Sequence, residues 1–390
     1  MRVSIVVNNH NYRPYLGACI DSALNQTQPD VEVVVVDDGS TDGSVDVVRA
    51  YGDRVVPVLK TNGGQASAFN AGFAAATGEA VIFLDADDLL EPSAAATAAR
   101  LLADPQVVKT HWPLTVVDEA GAPTGALKPG PARELPDGDL RATVFQRGPT
   151  CLLSPPTSGN AWSRGFLERV LPMDEALFRL GADTLLFEVA PFAGHVRRWC
   201  EPLSRYRLHG GNRWRRLGFD EILRRQLAFY AACVPVAARI ATEQGVAVDP
   251  ARWLEHSWWH RLQRAVRRVE EVVAPGLSYL LADGGRWGLV PSATRRPRPF
   301  PGRAGVYWGP PADDRHATSE LERERAAGAA AFVLAWPSFW WLDHYEGFVR
   351  HLERSYRCAA RDDCVVVFDL QAPTPRTPPA PQGSPSARRT

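Results

Sequence analysis

The sequence predicts an α/β protein whose N-terminal half is built on a Rossmann-like, mostly parallel sheet. Short runs of β-branched and aliphatic residues alternate with amphipathic segments over the first 100 residues, which is typical of parallel sheets. The runs are almost continuously apolar, as strands are when helices cover both faces of a sheet. Polar residues follow these runs directly, at the strand ends where ligands bind in such folds.

The individual elements follow from the same pattern along the chain. The expected strands of the N-terminal sheet cover 3–7, 31–36, 55–59 and 80–84. Prolines interrupt residues 105–150, so we expect a loop-rich connection there. Helices are expected over 163–170 and 183–192, where they should pack against the open edge of the sheet.

A chain of 390 residues is long enough for more than one domain. The expected boundaries are 1–215 for the N-terminal domain, 216–273 for a two-helix connector, 274–370 for a small C-terminal α/β domain and 371–390 for a tail. The C-terminal strand and helix candidates are 277–282, 313–327, 329–335, 343–356 and 364–369. The tail contains six prolines and few large apolar residues, so we expect it to be disordered.

Composition narrows the class of protein. Forty-four basic residues balance 44 acidic ones, so the overall charge gives no reason to expect a nucleic-acid partner. The six cysteines are scattered, which favours reduced thiols over a disulfide framework or a zinc site. We see no signal peptide and no transmembrane segment, so we expect a cytoplasmic protein. Arg213, Arg215 and Arg216 beside Trp214 leave a peripheral contact with the inner membrane face open.

Carboxylates follow two of the predicted strands. Asp37 and Asp38 come after the second strand, and Asp85, Asp87 and Asp88 come after the fourth. Alternate side chains of an extended chain point to the same side, so Asp85 and Asp87 should face one crevice. Acids this close repel one another unless a cation lies among them, and Mg²⁺ or Mn²⁺ suits carboxylate ligands.

A structural role for these acids remains an alternative. Asp87 and Asp88 could cap the helix that follows them, and Asp38 and Asp42 could cap the helix after the second strand. Between the two acidic clusters, residues 61–72 form a glycine turn that leads into a helix of small residues. Such a turn lets the backbone approach a ligand closely.

The order of these motifs resembles that of the inverting glycosyltransferases of family 2, which have the GT-A fold. The matching segments are 8–12, 22–27, 37–42, 61–72, 78–79, 85–88, 156–162, 179–184 and 206–212. The resemblance implies a nucleotide-diphosphate sugar donor and a Mg²⁺ or Mn²⁺ ion. The C-terminal domain is similar to a small α/β module appended to bacterial glycosyltransferases.

The resemblance also implies roles for individual residues. The implied nucleotide-sugar ligands are Asn8, His10, Asp38, Gln65 and Asp85, the implied acceptor-side residues are Asn160 and Trp162, and the implied metal ligands are Asp87 and His209. Asp183 takes the position of the general base, which an inverting displacement needs opposite the leaving diphosphate. Relatives usually carry Glu-Asp there, whereas Ala182 precedes Asp183 in this chain. A helix N-cap is the alternative role for Asp183.

The expected function is therefore sugar transfer to a hydroxyl acceptor, with the metal ion joining Asp38, Asp85 and Asp87 to the pyrophosphate. A UDP-sugar is favoured because an acidic base and ribose pocket suits uridine, while GDP and dTDP donors stay open. The acceptor is left as a glycan, a lipid-linked glycan or a small molecule. The alternative is a non-catalytic nucleotide-sugar-binding or scaffolding protein of glycan assembly, which the departure at Ala182 would permit.

Overall fold

The computed structural model describes residues 1–131, 133–150, 152–212, 217–287, 295–303 and 305–373. The chain divides into two compact units: unit 1 is Met1–Leu217 with Arg224–Trp258, and unit 2 is Gly218–Leu223 with Trp259–Thr390. The arginine-rich segment 213–216 and the expected tail from residue 374 onward lie outside the described residues. Among the described residues, no helix combines the length and the apolar character that crossing a membrane requires.

The elements as far as His256 alternate between strands and helices. The strands are β1 (Val3–Asn9), β2 (Val31–Asp38), β3 (Val56–Lys60), β4 (Ala80–Asp85), β5 (Leu89–Leu90), β6 (Val107–His111), β7 (Leu114–Val117), β8 (Pro123–Lys128), β9 (Asn160–Ser163), β10 (His195–Arg198) and β11 (Ser204–Arg207). The helices are α1 (Arg13–Leu24), α2 (Ser44–Ala50), α3 (Gln65–Ala75), α4 (Ala94–Leu102), α5 (Arg141–Arg147), α6 (Arg164–Val170), α7 (Asp183–Ala193), α8 (Phe219–Glu243) and α9 (Pro250–His256).

The main sheet of unit 1 has seven strands in the order β10-β6-β9-β4-β1-β2-β3. β4, β1, β2 and β3 are parallel, and β9 runs antiparallel to both of its neighbours. This arrangement confirms the predicted mostly parallel sheet. A second sheet has the order β5-β11-β7-β8, and β11 is the strand that leads to His209.

Helices cover both faces of the main sheet. Val6 and Val34 pack on one face with side chains of α3, α6 and α7, whereas Ile5 and Val33 pack on the other face with α1 and α4. Successive residues of a strand point to opposite faces, so these continuous apolar runs supply two hydrophobic cores at once. This double burial explains why β1, β2 and β4 could be predicted to within about two residues, whereas β3 is an edge strand whose side chains are largely exposed.

The loop-rich connection expected over 105–150 is wrong in part, because this region contains β6, β7, β8 and α5. β6 lies inside the main sheet, yet its sequence includes Lys109 and His111, which weaken the apolar pattern of a buried strand. Pro123 opens β8, an edge strand, where a residue without an N–H group removes no ladder hydrogen bond.

The strand register determines which polar residues meet at the carboxyl edge of the parallel strands. The residues paired across strands at this edge are Asn8 with Asp85, Asn9 with Asp37 and Asp38 with Lys60. Each pair is also joined by a side-chain hydrogen bond, at 2.6, 2.7 and 2.7 Å respectively. The sheet therefore brings the residues of both acidic motifs to one edge.

Unit 2 is a smaller α/β unit. Its elements are α10 (Trp258–Val272), whose first residue belongs to unit 1, then β12 (Ser278–Ala282), β13 (Arg296–Pro299), β14 (Gly302–Arg303), β15 (Val306–Tyr307), α11 (Asp314–Ala326), β16 (Ala329–Ala335), α12 (Trp341–His344), α13 (Glu346–Ser355), β17 (Tyr356–Arg361) and β18 (Val365–Pro373). Its main sheet has the order β13-β12-β16-β18-β17. β13 and β17 were not predicted, because both are edge strands with polar sequences. The connector contains α8, α9 and α10 rather than two helices.

Candidate active site

Asp85 ends β4 and lies opposite Asn8 of β1. Asn8 Nδ2 donates a hydrogen bond to Asp85 Oδ1 at 2.6 Å, which orients the carboxylate. The Oδ1 atom of Asn8 is buried and has no hydrogen-bond partner among the described residues. A buried acceptor of this kind calls for a donor such as a hydroxyl or N–H group, which a ligand can supply.

The acids after β4 are buried close together. Asp87 is 8% exposed and Asp88 is 1% exposed. Burial raises the pKa of Asp85 to about 7, and the charges of Asp87 and Asp183 add to the increase. Burial and the charges of Asp87 and Asp85 also raise the pKa of Asp88. A cation in this cluster would relieve the repulsion among the carboxylates.

Asp88 connects separate segments of the chain through hydrogen bonds. Its Oδ2 accepts a hydrogen bond from Ser158 Oγ at 2.7 Å, and its Oδ1 accepts one from the backbone N–H of Arg207 at 3.0 Å. The next helix, α4, has Ser93 as its N-cap residue, so the capping alternative is wrong for Asp88. Asp88 instead joins the end of β4 to β11 and to the turn Thr157–Gly159.

Asp87 contacts the histidine that follows β11. Its Oδ2 lies 2.9 Å from His209 Nε2, and the His209 side chain is 4% exposed. The backbone N–H of Gly211 donates to His209 Nδ1 at 3.0 Å, so in the neutral ring the hydrogen lies on Nε2 and is donated to Asp87. His209 thus orients Asp87 here. It could bind a metal through Nε2 after this hydrogen moved to Nδ1 and the Gly211 contact was released.

Asp38 does not belong to the acidic cluster, which corrects the expectation that it would share an ion with Asp85 and Asp87. Lys60 Nζ lies 2.7 Å from Asp38 Oδ1. The backbone N–H groups of Gly63 and Gly64 donate to the two carboxylate oxygens at 2.8 and 2.7 Å. Its negative charge is therefore already balanced within the protein. Asp38 shapes the glycine turn, and it was the strand register that brought Lys60 beside it.

His10 lies next to this turn. Its Nδ1 is 2.9 Å from the backbone oxygen of Asp38, and its Nε2 is 3.2 Å from Nδ2 of Asn11. The ring is partly exposed, and Asn62 of the glycine turn is within 3.1 Å of Nδ1. Asn8 and His10, which are predicted to bind the nucleotide-sugar donor, therefore lie on adjoining parts of the same sheet edge.

Asp183 is the first residue of α7 and is partly exposed. Ala182 is the N-cap residue, so the N-cap alternative for Asp183 does not hold. Burial raises the pKa of Asp183, and a hydrogen bond from Thr157 opposes part of this rise. The Thr157 hydroxyl donates to Asp183 Oδ2 at 3.0 Å. Asp183 is linked to Asp85 through neighbouring side chains, because Gln65 Nε2 lies 3.5 Å from both Thr157 Oγ1 and Asp85 Oδ1.

Gln65 was expected to bind the donor, and the structure places it between Asp85 and the start of α7. Its Nε2 lies 3.5 Å from Asp85 Oδ1, while its Oε1 accepts hydrogen bonds from the N–H groups of Gly181 and Ala182. Gln65 therefore contacts both Asp85 and the segment that carries Asp183.

The acceptor-side residues are placed differently from the prediction. Trp162 lies in β9, is 1% exposed and packs against Phe166, with 5.8 Å between the ring centroids. The expectation that its ring faces a sugar is therefore corrected: β9 enters the main sheet, where helices cover it. Asn160 is fully buried, and its Nδ2 donates to the backbone oxygens of Pro155 and Pro156. It holds the shape of the loop from inside.

Sequence reasoning missed a buried lysine whose charge interacts with that of Asp183. Lys109 of β6 is 2% exposed, and its Nζ lies 2.7 Å from Ser154 Oγ. Burial lowers its pKa to about 7, while the charges of Glu188 and Asp183 oppose the shift. A lysine inside a strand pattern was the only available signal. Thr157 and Ser158 stood within the expected acceptor-side segment, but nothing in the sequence showed that they contact Asp183 and Asp88.

Residues 4–123 match the sequence profile of the family described as "Glycosyl transferase family 2". Residues 4–123 belong to glycosyltransferase family 2. The matched range includes Asp85 and Asp87 but ends before Asp183 and His209. The family predicted from the order of motifs is confirmed for the domain, and the mostly parallel sheet agrees with it.

Two relatives extend this finding. The "Uncharacterized glycosyltransferase alr2836" of Nostoc sp. is 40% identical over 217 residues, which are 54% of this chain and 66% of the relative. The chondroitin synthase of Pasteurella multocida is 47% identical over 95 residues, which are 24% of this chain and 10% of that enzyme. The chain thus spans less than two thirds of the length of either relative.

A solved structure is similar at lower identity. The mannosyltransferase PcManGT from Pyrobaculum calidifontis, in complex with GDP-Man and Mn²⁺, shares 20% sequence identity with this chain at a TM-score of 0.42. The superposition covers 70% of this chain and 76% of that chain.

Proposed function

We propose that the protein transfers a sugar, with inversion, from a nucleotide-diphosphate donor to a hydroxyl group of an acceptor. One observation carries the proposal: buried acids at the end of β4 share a site with Asp183 at the start of α7. Asp85 and Asp183 come from elements far apart in the sequence, yet the side chains of Gln65 and Thr157 connect them through contacts of 3.0 to 3.5 Å. A family 2 domain supplies the setting in which such acids bind a donor.

The donor would lie along the carboxyl edge of the parallel strands. Asn8 and His10 border this edge, and the Oδ1 atom of Asn8, which has no partner in the described parts of the chain, can accept a hydrogen bond from a ribose or base. The glycine turn beside them is held by Asp38, so its backbone is already shaped before a ligand arrives. We favour UDP-sugars as donors, for the reason given in the sequence analysis. The sugar and the acceptor must be identified by experiment.

The residues present fit a divalent cation. Asp87 supplies a carboxylate in a cluster whose charges repel, which is the donor chemistry that Mg²⁺ and Mn²⁺ prefer. His209 is in contact with Asp87 and could join it as a ligand after the change of hydrogen position described above. Such ions keep several sites for water and phosphate oxygens, so few protein ligands are needed. A bound ion would stabilise the negative charge of the departing diphosphate.

Asp183 would act as the general base. The acceptor hydroxyl must lose a proton as it attacks the anomeric carbon, and a carboxylate on the side opposite the diphosphate can take it. Burial raises the pKa of Asp183, which makes the ionised form a stronger base. Ala182, which replaces the usual acid before it, donates its N–H to Gln65 and contributes no charge. One carboxylate is sufficient for this step.

The test is the release of nucleotide diphosphate by the full chain from UDP-, GDP- and dTDP-sugars, with and without EDTA. We expect release from at least one donor, and we expect EDTA to abolish it. The anomeric configuration of the product, read by NMR, tests inversion. Absence of release from every donor, together with retained nucleotide binding, would favour the non-catalytic binding or scaffolding alternative.

A further inference from the structure

Two neutral side chains, Thr157 and Gln65, lie between the donor-side acid Asp85 and Asp183. The Thr157 hydroxyl donates to Asp183 Oδ2 at 3.0 Å. The Nε2 atom of Gln65 lies 3.5 Å from Thr157 Oγ1 and 3.5 Å from Asp85 Oδ1. A hydrogen-bonded bridge therefore runs from the donor side of the site to the base.

The carboxamide of Gln65 also reaches the segment that carries the base. Its Oε1 accepts hydrogen bonds from the N–H groups of Gly181 and Ala182 at 2.9 and 3.1 Å. The backbone of α3 holds the same segment independently, because the N–H of Gln65 donates to the backbone oxygen of Arg179 at 3.0 Å. Removal of the side chain leaves this backbone contact in place. The carboxamide is thus suited to orient the segment rather than to attach it.

Thr157 is placed for the same task. It is 4% exposed and begins the turn Thr157–Gly159, which Ser158 fixes to Asp88. The turn is therefore rigidly supported by the acidic cluster on one side. Its threonine hydroxyl points to Asp183 on the other side. A supported donor of this kind restricts the rotation of the carboxylate that it contacts.

We propose that Thr157 and Gln65 are positioning residues, which orient Asp183 for proton transfer and link its segment to Asp85 on the donor side. The inference rests on the proposed function, because it assigns Asp183 the role of base. It predicts that both residues act through Asp183 and make no contribution of their own to the chemical step. The hydroxyl of Thr157 also favours the ionised carboxylate, so its loss should make Asp183 easier to protonate.

The experiment compares Thr157→Val, Thr157→Ser and Gln65→Leu in the full chain. Matched controls are Thr110→Val, which removes a buried hydroxyl bonded to a backbone oxygen at 2.9 Å, and Gln26→Leu, which removes a carboxamide bonded to three backbone groups. We expect Thr157→Val and Gln65→Leu to lower kcat about 10-fold, the effect of losing one hydrogen bond of ordinary strength. The KM for the donor should stay constant for Thr157→Val, and Thr157→Ser should retain activity.

Two further readouts separate positioning from a merely structural role. For Thr157→Val the acid limb of the kcat profile should move to higher pH, and for the two controls it should not move. In the Asp183→Asn background, Thr157→Val should have no additional effect on kcat, because residues that act through one group are not additive. Additive losses, or an unchanged acid limb, would overturn the proposal.

A different measurement keeps the inference testable if the wild-type chain releases no nucleotide diphosphate. The protonation of Asp183 can be followed by infrared titration of its carboxyl group, assigned by its absence in Asp183→Asn. Thr157→Val should raise the titration midpoint of this band, whereas Thr110→Val should not. An unchanged midpoint in Thr157→Val contradicts the positioning role, whatever the outcome for sugar transfer.

Discussion

In unit 1 the carboxylates of Asp85, Asp88 and Asp183 lie among other acids, whereas in unit 2 those of Glu322 and Asp363 lie beside arginines. The directions of the pKa shifts differ accordingly. Burial raises the pKa of the three unit 1 acids. In unit 2 the pKa values of Glu322 and Asp363 are lowered, because hydrogen bonds and arginine charges outweigh the opposing effect of burial. The three unit 1 acids accept hydrogen bonds but form no ion pair among the described residues, which indicates a site that awaits a cation or a substrate, whereas acids paired with arginines indicate a scaffold.

The distances between possible ligand atoms would, by themselves, have placed a metal site in unit 2. Ligand atoms of Asp362, Asp363 and Cys364 all lie within 4.8 Å of one another, as in a metal site. Arg264 and Arg268, however, approach the two carboxylates at 3.2 and 3.5 Å. A metal ion would have to displace these arginines and would meet their positive charges. Charge balance, rather than proximity of ligand atoms, therefore distinguishes the two regions.

The largest expected effect is on Asp183. Asp183→Asn should lower the rate of sugar transfer by about 100-fold or more, the contribution of a general base, and should leave nucleotide binding intact. Steady-state kinetics and nucleotide titration by calorimetry check both parts. The control is Asp46→Asn, since the Asp46 side chain is 79% exposed and pairs with Arg49 on the surface. Equal rates for the two variants would remove Asp183 from the mechanism.

A pH profile tests the same acid without mutation. Because burial raises the pKa of Asp183, its active, ionised form is lost as the pH falls through that raised pKa. Transfer should therefore decline on the acid side, by about 10-fold per pH unit below the pKa of the base. The check is kcat measured across pH with saturating donor. A rate that stays constant down to the ordinary pKa of an aspartate would contradict the raised pKa of Asp183, and with it the contrast drawn between the acids of the two units.

A smaller effect is expected in unit 2. Hydrogen bonds from Tyr356, His351 and Arg325 lower the pKa of Glu322 to about 2, although burial opposes them. Its ionised form therefore stabilises unit 2 above the unfolded pKa of about 4.3, and this stabilisation is lost as the pH falls toward the folded value. Glu322→Gln should lower the free energy of unfolding by about 1 kcal/mol at neutral pH.

Hydrogen exchange of the amides in α11 and α13 reports this change within unit 2. The matched control is Glu346→Gln, since the side chain of Glu346 is 69% exposed and its pairing with Arg350 is a surface contact. Glu322→Gln should leave sugar transfer unchanged. Loss of sugar transfer without a change in hydrogen exchange would show that Glu322 acts in the reaction. It would contradict the assignment of the unit 2 acids to a structural role.

The smallest expected effect concerns Asp362 and Asp363. The double variant Asp362→Asn with Asp363→Asn should leave the response of the enzyme to Mn²⁺ unchanged, because both acids are already paired with arginines. The check is the Mn²⁺ concentration that gives half-maximal transfer. An increase in that concentration would show that Asp362 and Asp363 contribute to Mn²⁺ binding, as the distances between their ligand atoms suggest.

Much of unit 1 could be predicted because its signals are local. The strands β1, β2 and β4 are almost continuously apolar and buried, and the acids that follow β4 are adjacent in sequence. β6 was missed because Lys109 and His111 interrupt its apolar pattern, and both are buried only through tertiary packing. The edge strand β13 reads Arg-Pro-Arg-Pro, which carries no strand signal at all.

The site was predicted less completely, because its contacts depend on register and on distant segments. Asp38 and Lys60 are separated by 22 residues and meet only through the pairing of β2 with β3. Trp162 stood in a segment that suggested an exposed loop, and its burial follows from the insertion of β9 into the sheet. Thr157 contacts Asp183 across 26 residues of chain, which no local pattern reports.

The central claim is that the acids after β4 bind a divalent cation together with a nucleotide diphosphate. The most direct test is calorimetric titration of UDP, GDP and dTDP into the full chain, with and without Mn²⁺, for the wild type and for Asp87→Asn. We expect Mn²⁺ to tighten binding of at least one nucleotide in the wild type by about 10-fold or more, the scale on which residues of a metal site affect affinity. Asp87→Asn should abolish this gain. No gain with Mn²⁺ in the wild type, or an equal gain in Asp87→Asn, would contradict the claim.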